Sequence, residues 1–99
     1  MSAIFGETVS FPQDNGPDID LVVFGDEYYA RRESPTGYTA VYNSDLGLYC
    51  YALLQDGEFV PSSVPITDPP PPGVRPHLKE SDSVRQRKVT ERGTQFEGI

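Results

Sequence analysis

The 99-residue sequence contains one cysteine, one histidine and no tryptophan. Cys50 has no second cysteine to pair with, so the sequence excludes a fold held together by internal disulfides. Because His77 is the one histidine and follows a proline-rich stretch, a Ser-His-Asp catalytic arrangement has no support. We therefore expect a non-enzymatic chain that uses no cofactor and no metal.

Long apolar runs are also missing. No stretch approaches the 18 or so apolar residues that cross a bilayer, so no membrane span is predicted. The amino terminus, which reads MSAIFGETVSFPQDNG, has neither a basic segment nor an apolar core, and a secretory signal peptide is not predicted. The compartment stays open on these grounds.

Basic residues are scarce in the first two-thirds of the chain. Residues 1–67 carry ten acids against two arginines, whereas residues 68–99 carry five acids and six bases. The overall net charge is −7. An acidic folded part would repel phosphates, so nucleic-acid binding is not expected. The charge favours cation binding or docking on a basic protein partner.

Proline and glycine are abundant, with ten and nine residues respectively, and they divide the chain into short segments. Strands are predicted at residues 7–12, 18–24, 38–43, 48–54 and 58–63, and Pro12 and Pro61 are expected to stop the first and the last of them. Turns between them recur every ten to twenty residues or so, which is typical of an antiparallel meander. The fold class predicted is a small all-β antiparallel meander or curled sheet, because so small a sheet must curl or pair to bury its apolar face.

Residues 24–43 read FGDEYYARRESPTGYTAVYN, in which charged residues lie among tyrosines. Gly25 is expected to break the preceding strand. A bent strand is favoured over a helical turn for the residues that follow, because they carry no apolar stripe. The strands at 38–43 and 48–54 are expected to form the central hairpin and to bring Tyr42 close to Tyr49.

Three regions are predicted along the chain: a β domain at residues 5–66, a polyproline spacer at 67–76 and a polar, basic connector or tail at 77–99. The spacer should be stiff, extended and solvated. Ser81 is expected to cap a weak helix that Gly93 stops. Val84 and Val89 are its apolar residues, too few to hold it against a core, so we expect the tail to be frayed or to dock on another molecule.

The turn and strand residues resemble the amino-terminal region that precedes the catalytic domain in M6-family, immune inhibitor A-like zinc metalloproteases. The matching positions are Gly25, Asp26, Glu27, Tyr28, Gly37, Tyr38, Thr39, Asp45, Gly47, Tyr49, Tyr51 and Ala52. The tail, GVRPHLKESDSVRQRKVTER, is similar to the basic connector of that family. The likeness covers roughly residues 7–92 and rests on turn and strand residues. The chain departs from the family in having no signal peptide and no H-E-x-x-H motif.

The resemblance implies a non-catalytic pro- or accessory domain that acts in folding, latency or docking of a metalloprotease catalytic domain. It also implies a secreted parent protein. The alternative is a stand-alone interaction or structural module of a larger assembly, whose tail orders on binding. Either function needs a protein partner.

Two surfaces are candidates for partner contact. The first candidate set is Asp26, Glu27, Tyr28, Tyr29, Arg31 and Arg32. The second, a possible processing or docking segment, is Arg85, Arg87, Lys88 and Arg92. Each set has a purely structural alternative: the acids could pair with nearby arginines at a bend, and the basic stretch could be a solvated helical face. Adjacent carboxylates on a strand point to opposite faces, which does not suit shared acid–base chemistry.

Cys50 and His77 each have two interpretations. Cys50 alternates with apolar residues and is interpreted as a small core residue, with a pro-region thiol that occupies a catalytic zinc as the rival. His77 is interpreted as a solvated linker residue, with a zinc ligand contributed to another chain as the rival.

Overall fold

Six strands follow one another in chain order, and each pairs antiparallel with the next. Their bounds in the computed structural model are Ile4–Gln13 (β1), Gly16–Gly25 (β2), Ala30–Glu33 (β3), Thr39–Asn43 (β4), Leu48–Gln55 (β5) and Glu58–Pro65 (β6), and one helix follows at Asp82–Glu97 (α1). The structure describes the backbone of residues 4–25 and 29–97, and the side chains of 6–25 and 29–91. The prediction of an all-β antiparallel meander is confirmed.

The tight turns follow from the residues that occupy them. Asp56 and Gly57 connect β5 to β6, and both have positive φ, at 53° and 79°. Two consecutive positive φ angles define the type I′ turn, whose twist matches that of a hairpin. The longer loop between β4 and β5 ends at Gly47, which also has a positive φ of 68°. These are the positions at which the sequence predicted turns.

The sheet curls so that the end of β1 reaches β5. The Tyr49 N–H on β5 donates to Gln13 Oε1 on β1 at 2.7 Å. Nearby, the Asn15 N–H donates to the Gly47 carbonyl at 3.0 Å, which joins the β1–β2 turn to the β4–β5 turn. Strands β1 and β5 are not neighbours in the sheet, so these bonds require the curvature that the small size of the sheet predicted.

The core lies inside this curl. Leu21, Ala40, Tyr51 and Ile66 form its buried centre. Tyr42 pairs with Tyr49 across β4 and β5, with ring centroids 5.0 Å apart and planes at 71°. This edge-to-face contact confirms the predicted cross-strand pair.

The middle of β5 is covered on both faces. Cys50, Tyr51 and Ala52 are exposed by no more than 3%. Consecutive strand residues point to opposite faces, so burial of all three means that neither face is open to solvent. The burial of Cys50 agrees with its interpretation as a core residue.

Two strands extend further than predicted. β1 continues to Gln13 beyond Pro12, and β6 continues through Pro61 to Pro65. The prediction that Pro61 stops β6 is wrong because β6 is the last strand of the sheet, and a proline on an edge strand can turn its missing donor away from the ladder. β1 is the other edge, and its register shifts around Pro12.

Gly25 ends β2 at a position that requires glycine. Its φ is 138°, and an added Cβ would lie 2.1 Å from the Tyr29 carbonyl oxygen. The chain returns as β3, which pairs with β2 from Val22–Glu33 to Gly25–Ala30. In the described part of this segment, residues 30–33 form a strand and not a helical turn, as the sequence favoured.

The segment between β6 and α1 lies against the sheet. The Tyr51 hydroxyl donates to the Asp68 carbonyl at 2.6 Å, and the Thr39 hydroxyl donates to the Leu78 carbonyl at 2.7 Å. The His77 N–H donates to the Gly37 carbonyl at 2.7 Å. The spacer is largely exposed, as predicted, but it is not uniformly extended, because the Val74 N–H donates to the Pro71 carbonyl in a turn, and it is hydrogen-bonded to the β domain at Asp68 and directly after its end at His77.

Among residues 4–25 and 29–97, no helix combines the length and apolar character needed to cross a membrane. This finding agrees with the absence of a predicted span.

Replacing Leu21 by alanine should destabilise the fold by about 3 kcal/mol, because Leu21 is fully buried and its loss leaves a cavity. Leu54→Ala is the matched control, since Leu54 is 45% exposed and should cost less than about 1 kcal/mol. Urea unfolding followed by tyrosine fluorescence measures both. Equal losses for the two variants would contradict this description of the core.

Candidate functional site

The first predicted cluster is only partly within the described residues. Asp26, Glu27 and Tyr28 lie outside them. Tyr29 immediately precedes β3, and Arg31 and Arg32 lie on that strand. The question for this region is therefore what the three described side chains contact.

Arg31 pairs with a carboxylate that the sequence analysis did not single out. Its Nη2 and Nε donate to Glu33 Oε2 at 2.9 and 3.2 Å. Its guanidinium also lies 5.2 Å from the centre of the Phe24 ring. Glu33 is 2% exposed, so the pair is largely shielded from solvent. Arg31 therefore acts within the fold.

Arg32 points to the other face of β3. Its guanidinium lies 4.9 Å from the centre of the Phe11 ring, a cation–π contact. In the described part of the chain its buried Nε has no hydrogen-bond acceptor. The side chains of Arg31 and Arg32 thus lie on opposite faces of β3, although the sequence analysis placed both in one contact set.

His77 joins the same carboxylate from the connecting segment. Its Nδ1 lies 3.0 and 3.1 Å from the two oxygens of Glu33. The histidine ring is 67% exposed, so it is both solvated and anchored. Within residues 4–25 and 29–97, no group of three or more His, Cys, Asp or Glu side chains is placed to hold a metal ion.

Glu80 forms the second and larger attachment, which we call the Glu80 latch. Its carboxylate accepts hydrogen bonds from the Tyr29 hydroxyl at 2.6 Å, the Phe59 N–H at 2.8 Å and Lys88 Nζ at 2.7 Å. Glu80 is only 3% exposed. One buried carboxylate therefore joins the start of β3, the edge strand β6 and helix α1.

The second predicted set lies on α1, next to the latch. Lys88 Nζ is also 3.6 Å from Glu58 Oε2, and Arg87 Nη2 reaches the same oxygen at 3.1 Å. Arg85 pairs with Asp82 within the helix. The side chain of Arg92 lies outside the described residues. Arg87 and Lys88 of the basic stretch thus face Glu58 on β6.

Helix α1 begins as the sequence predicted but runs further. Ser81 Oγ accepts from the Val84 N–H at 3.4 Å, the position expected of a capping serine. The Ser81 N–H donates to the Gly57 carbonyl at 2.9 Å, which fixes the cap to the β5–β6 turn. The helix does not stop at Gly93 and extends to Glu97.

The expectation that the tail has too few apolar residues to dock is corrected. Val84 is buried at 6% exposure, whereas Val89 remains 39% exposed. One apolar contact is small, and the charged groups of the Glu80 latch supply the rest. Sequence reasoning missed the latch because its partners lie 51, 21 and 8 residues from Glu80.

The latch shifts the titration of its members. Burial raises the pKa of the Glu80 carboxyl, but hydrogen bonds from Lys88, Tyr29 and the Phe59 N–H outweigh burial and leave that pKa below its ordinary value. Burial, and then the hydrogen bond to Glu80, raise the pKa of the Tyr29 phenol well above its ordinary value. Near neutral pH the latch thus consists of a carboxylate and a protonated phenol.

Cys50 lies away from this site. Its side chain is fully buried, and burial raises the pKa of its thiol. A buried, protonated thiol is a poor metal ligand. The geometry therefore favours the core interpretation of Cys50 over the zinc-binding one.

Comparisons of this chain with protein-family models, curated proteins and solved structures found no match.

Replacing Glu80 by glutamine should release α1 from the sheet. The amide oxygen can still accept from the Phe59 N–H and Lys88 Nζ, but the negative charge that pairs with the Lys88 ammonium is lost, and weakening a charged hydrogen bond of this kind costs about 1–3 kcal/mol. Because cleavage follows the population of the open form, trypsin should cut at Arg85, Arg87 and Lys88 about tenfold faster. Glu91→Gln is the control, since Glu91 forms one exposed pair with Arg87 and should change the rate little. Equal rates for both variants would refute the latch.

Acid should weaken docking of the tail. A carboxyl whose pKa is lower in the folded state contributes its full stabilisation above its ordinary pKa, here 4.5. That contribution is lost as the pH falls through the lower, folded pKa. The Val84 and Lys88 amide resonances, followed by NMR from pH 7 to pH 2, should shift in one step below pH 4.5. A step of the same size in Glu80→Gln would show that another group is responsible.

Proposed function

We propose that this chain is a non-catalytic pro- or accessory domain of an M6-type metalloprotease, acting in folding, latency or docking of the protease. The resemblance supplies the family, and the fold supplies a reason for the shared residues. Gly25 and Gly37 occupy turns with positive φ, and Tyr49 and Tyr51 fill the interior of the curled sheet. A pro- or accessory domain of this kind acts through a stable binding surface and does not need reactive groups.

The observation that carries the proposal is the attachment of the connector to the sheet. In the resembling proteases this segment lies between the amino-terminal region and the catalytic domain. Here it is held at Gly37, Thr39 and Glu33, and its Glu80 carboxylate is held by the Tyr29 hydroxyl and the Phe59 N–H. A connector fixed at several points would set the position of whatever it joins, and a flexible one would not.

The chemistry of the described side chains supports a role without catalysis. The most buried carboxylates, Glu33 and Glu80, are each occupied by neighbouring cations or donors. Cys50 is enclosed in the core. The exposed acids are spread along turns and strand edges, which suits a docking surface that attracts a basic partner.

The second candidate is a stand-alone interaction module, and the Glu80 latch also bears on it. In the hypothesis drawn from the sequence, the tail becomes ordered only when it binds a partner. Since α1 already contacts Glu58 on β6 through Arg87 and Lys88, a partner would bind the docked tail or displace it. The two candidates differ in whether the partner is a metalloprotease catalytic domain.

The proposed function can be tested by refolding an M6-type catalytic domain with and without this chain. We expect the two proteins to co-elute on gel filtration and the rate of peptide cleavage to change severalfold. Glu80→Gln should weaken the effect, because its connector is no longer fixed, and Glu91→Gln should not. Separate elution together with unchanged cleavage would contradict the proposal.

A further inference from the structure

A groove of about 630 Å³ is lined by residues other than those of the latch. It runs between β2, the β3–β4 turn and the segment that follows β6. Its floor is formed by Ile19, Tyr51 and Ile66. A volume in this range accommodates a few side chains of a bound ligand.

The floor of the groove is apolar. Tyr51 and Ile66 are 3% and 6% exposed, so only a small part of their carbon surface is open at the base of the groove, and the half-buried Ile19 adds to it. The Tyr51 hydroxyl, its one polar atom beyond the backbone, is already bound to the Asp68 carbonyl. A ligand that reaches the floor therefore meets hydrocarbon and aromatic surface, which favours an apolar side chain.

The rim of the groove is acidic. Asp20 lies on β2 and Asp68 lies on the segment that follows β6, so the two acidic residues that line the groove come from different parts of the chain. In the part of the chain that the structure describes, neither carboxylate has an ion pair or a side-chain hydrogen bond. The residues that line the groove include no lysine, arginine or histidine.

We propose that this groove binds an extended segment of a partner protein in which lysine or arginine alternates with apolar residues. The apolar side chain would occupy the floor, and the cations would meet Asp20 and Asp68 at the rim. Residues 1–67 carry eight more acids than bases, so their field attracts such a segment and repels anionic ligands. This proposal holds whether or not the partner is a protease.

None of the described side chains of the tail, at residues 77–91, lines the groove. Helix α1 of the tail instead pairs with two other acids: Lys88 contacts Glu80, and Arg87 contacts Glu58. Those two acids are separate from the residues that line the groove. The groove is therefore available to a segment from another molecule.

The test uses the capped peptide Leu-Arg-Leu-Arg-Leu, titrated into the ¹⁵N-labelled full chain and followed by NMR. We expect saturable shifts at the amides of Asp20, Ile66 and Asp68. The capped peptide Leu-Glu-Leu-Glu-Leu should bind at least about tenfold more weakly, because its charges repel the rim.

Two double variants separate the rim from net charge. Asp20→Asn with Asp68→Asn should weaken binding of the arginine peptide about fivefold or more. Asp45→Asn with Asp56→Asn removes the same charge from turns outside the groove and should weaken it less than about twofold, through long-range attraction alone. All four positions are exposed, so both variants should keep the wild-type NMR spectrum elsewhere.

Three results would overturn the proposal. The first is equal affinity for the arginine and glutamate peptides, and the second is equal loss of affinity in the two double variants. The third is a set of concentration-dependent shifts at Ile66 and Asp68 without any peptide, which would assign the groove to a second copy of this chain.

Discussion

The buried carboxylate of Glu80 is the interaction on which the arrangement of this chain depends. It is surrounded by a phenol, a backbone amide and an ammonium group that come from three separated segments. A buried charge is costly unless it is paired and hydrogen-bonded, so the segments must assemble together or the carboxylate stays in water. The buried carboxylate of Glu33 is paired in the same way, with Arg31 and with His77 at the start of the connector.

These contacts explain part of the uneven distribution of charge along the sequence. The bases of α1 and the acids of the sheet looked like separate features, one suited to processing and the other to docking. In the fold, Arg87 and Lys88 both pair with Glu58 on β6, so part of the chain's charge asymmetry is neutralised internally. The acids that remain unpaired, such as Asp20 and Asp68 beside the groove, are those available to a partner.

Local rules were enough to predict most of the sheet, and they failed where distant residues decide. Turn chemistry located the hairpin at Asp56-Gly57, and alternation located β4 and β5 with their Tyr42–Tyr49 pair. The end of β6 was predicted wrongly from Pro61, because the sequence of a single strand does not show whether that strand lies at the edge of the sheet. The latch was not predictable, since no local pattern links Tyr29 to Glu80 across 51 residues.

The account as a whole requires that the connector be part of the β domain, and one measurement tests this directly. Nuclear Overhauser effects recorded on the intact chain at neutral pH report which protons lie within about 5 Å of one another. The structure predicts cross-peaks from the Lys88 side chain to Glu80 and from the Tyr29 ring to Glu80. Random-coil shifts for residues 80–91 with no such cross-peaks would contradict it.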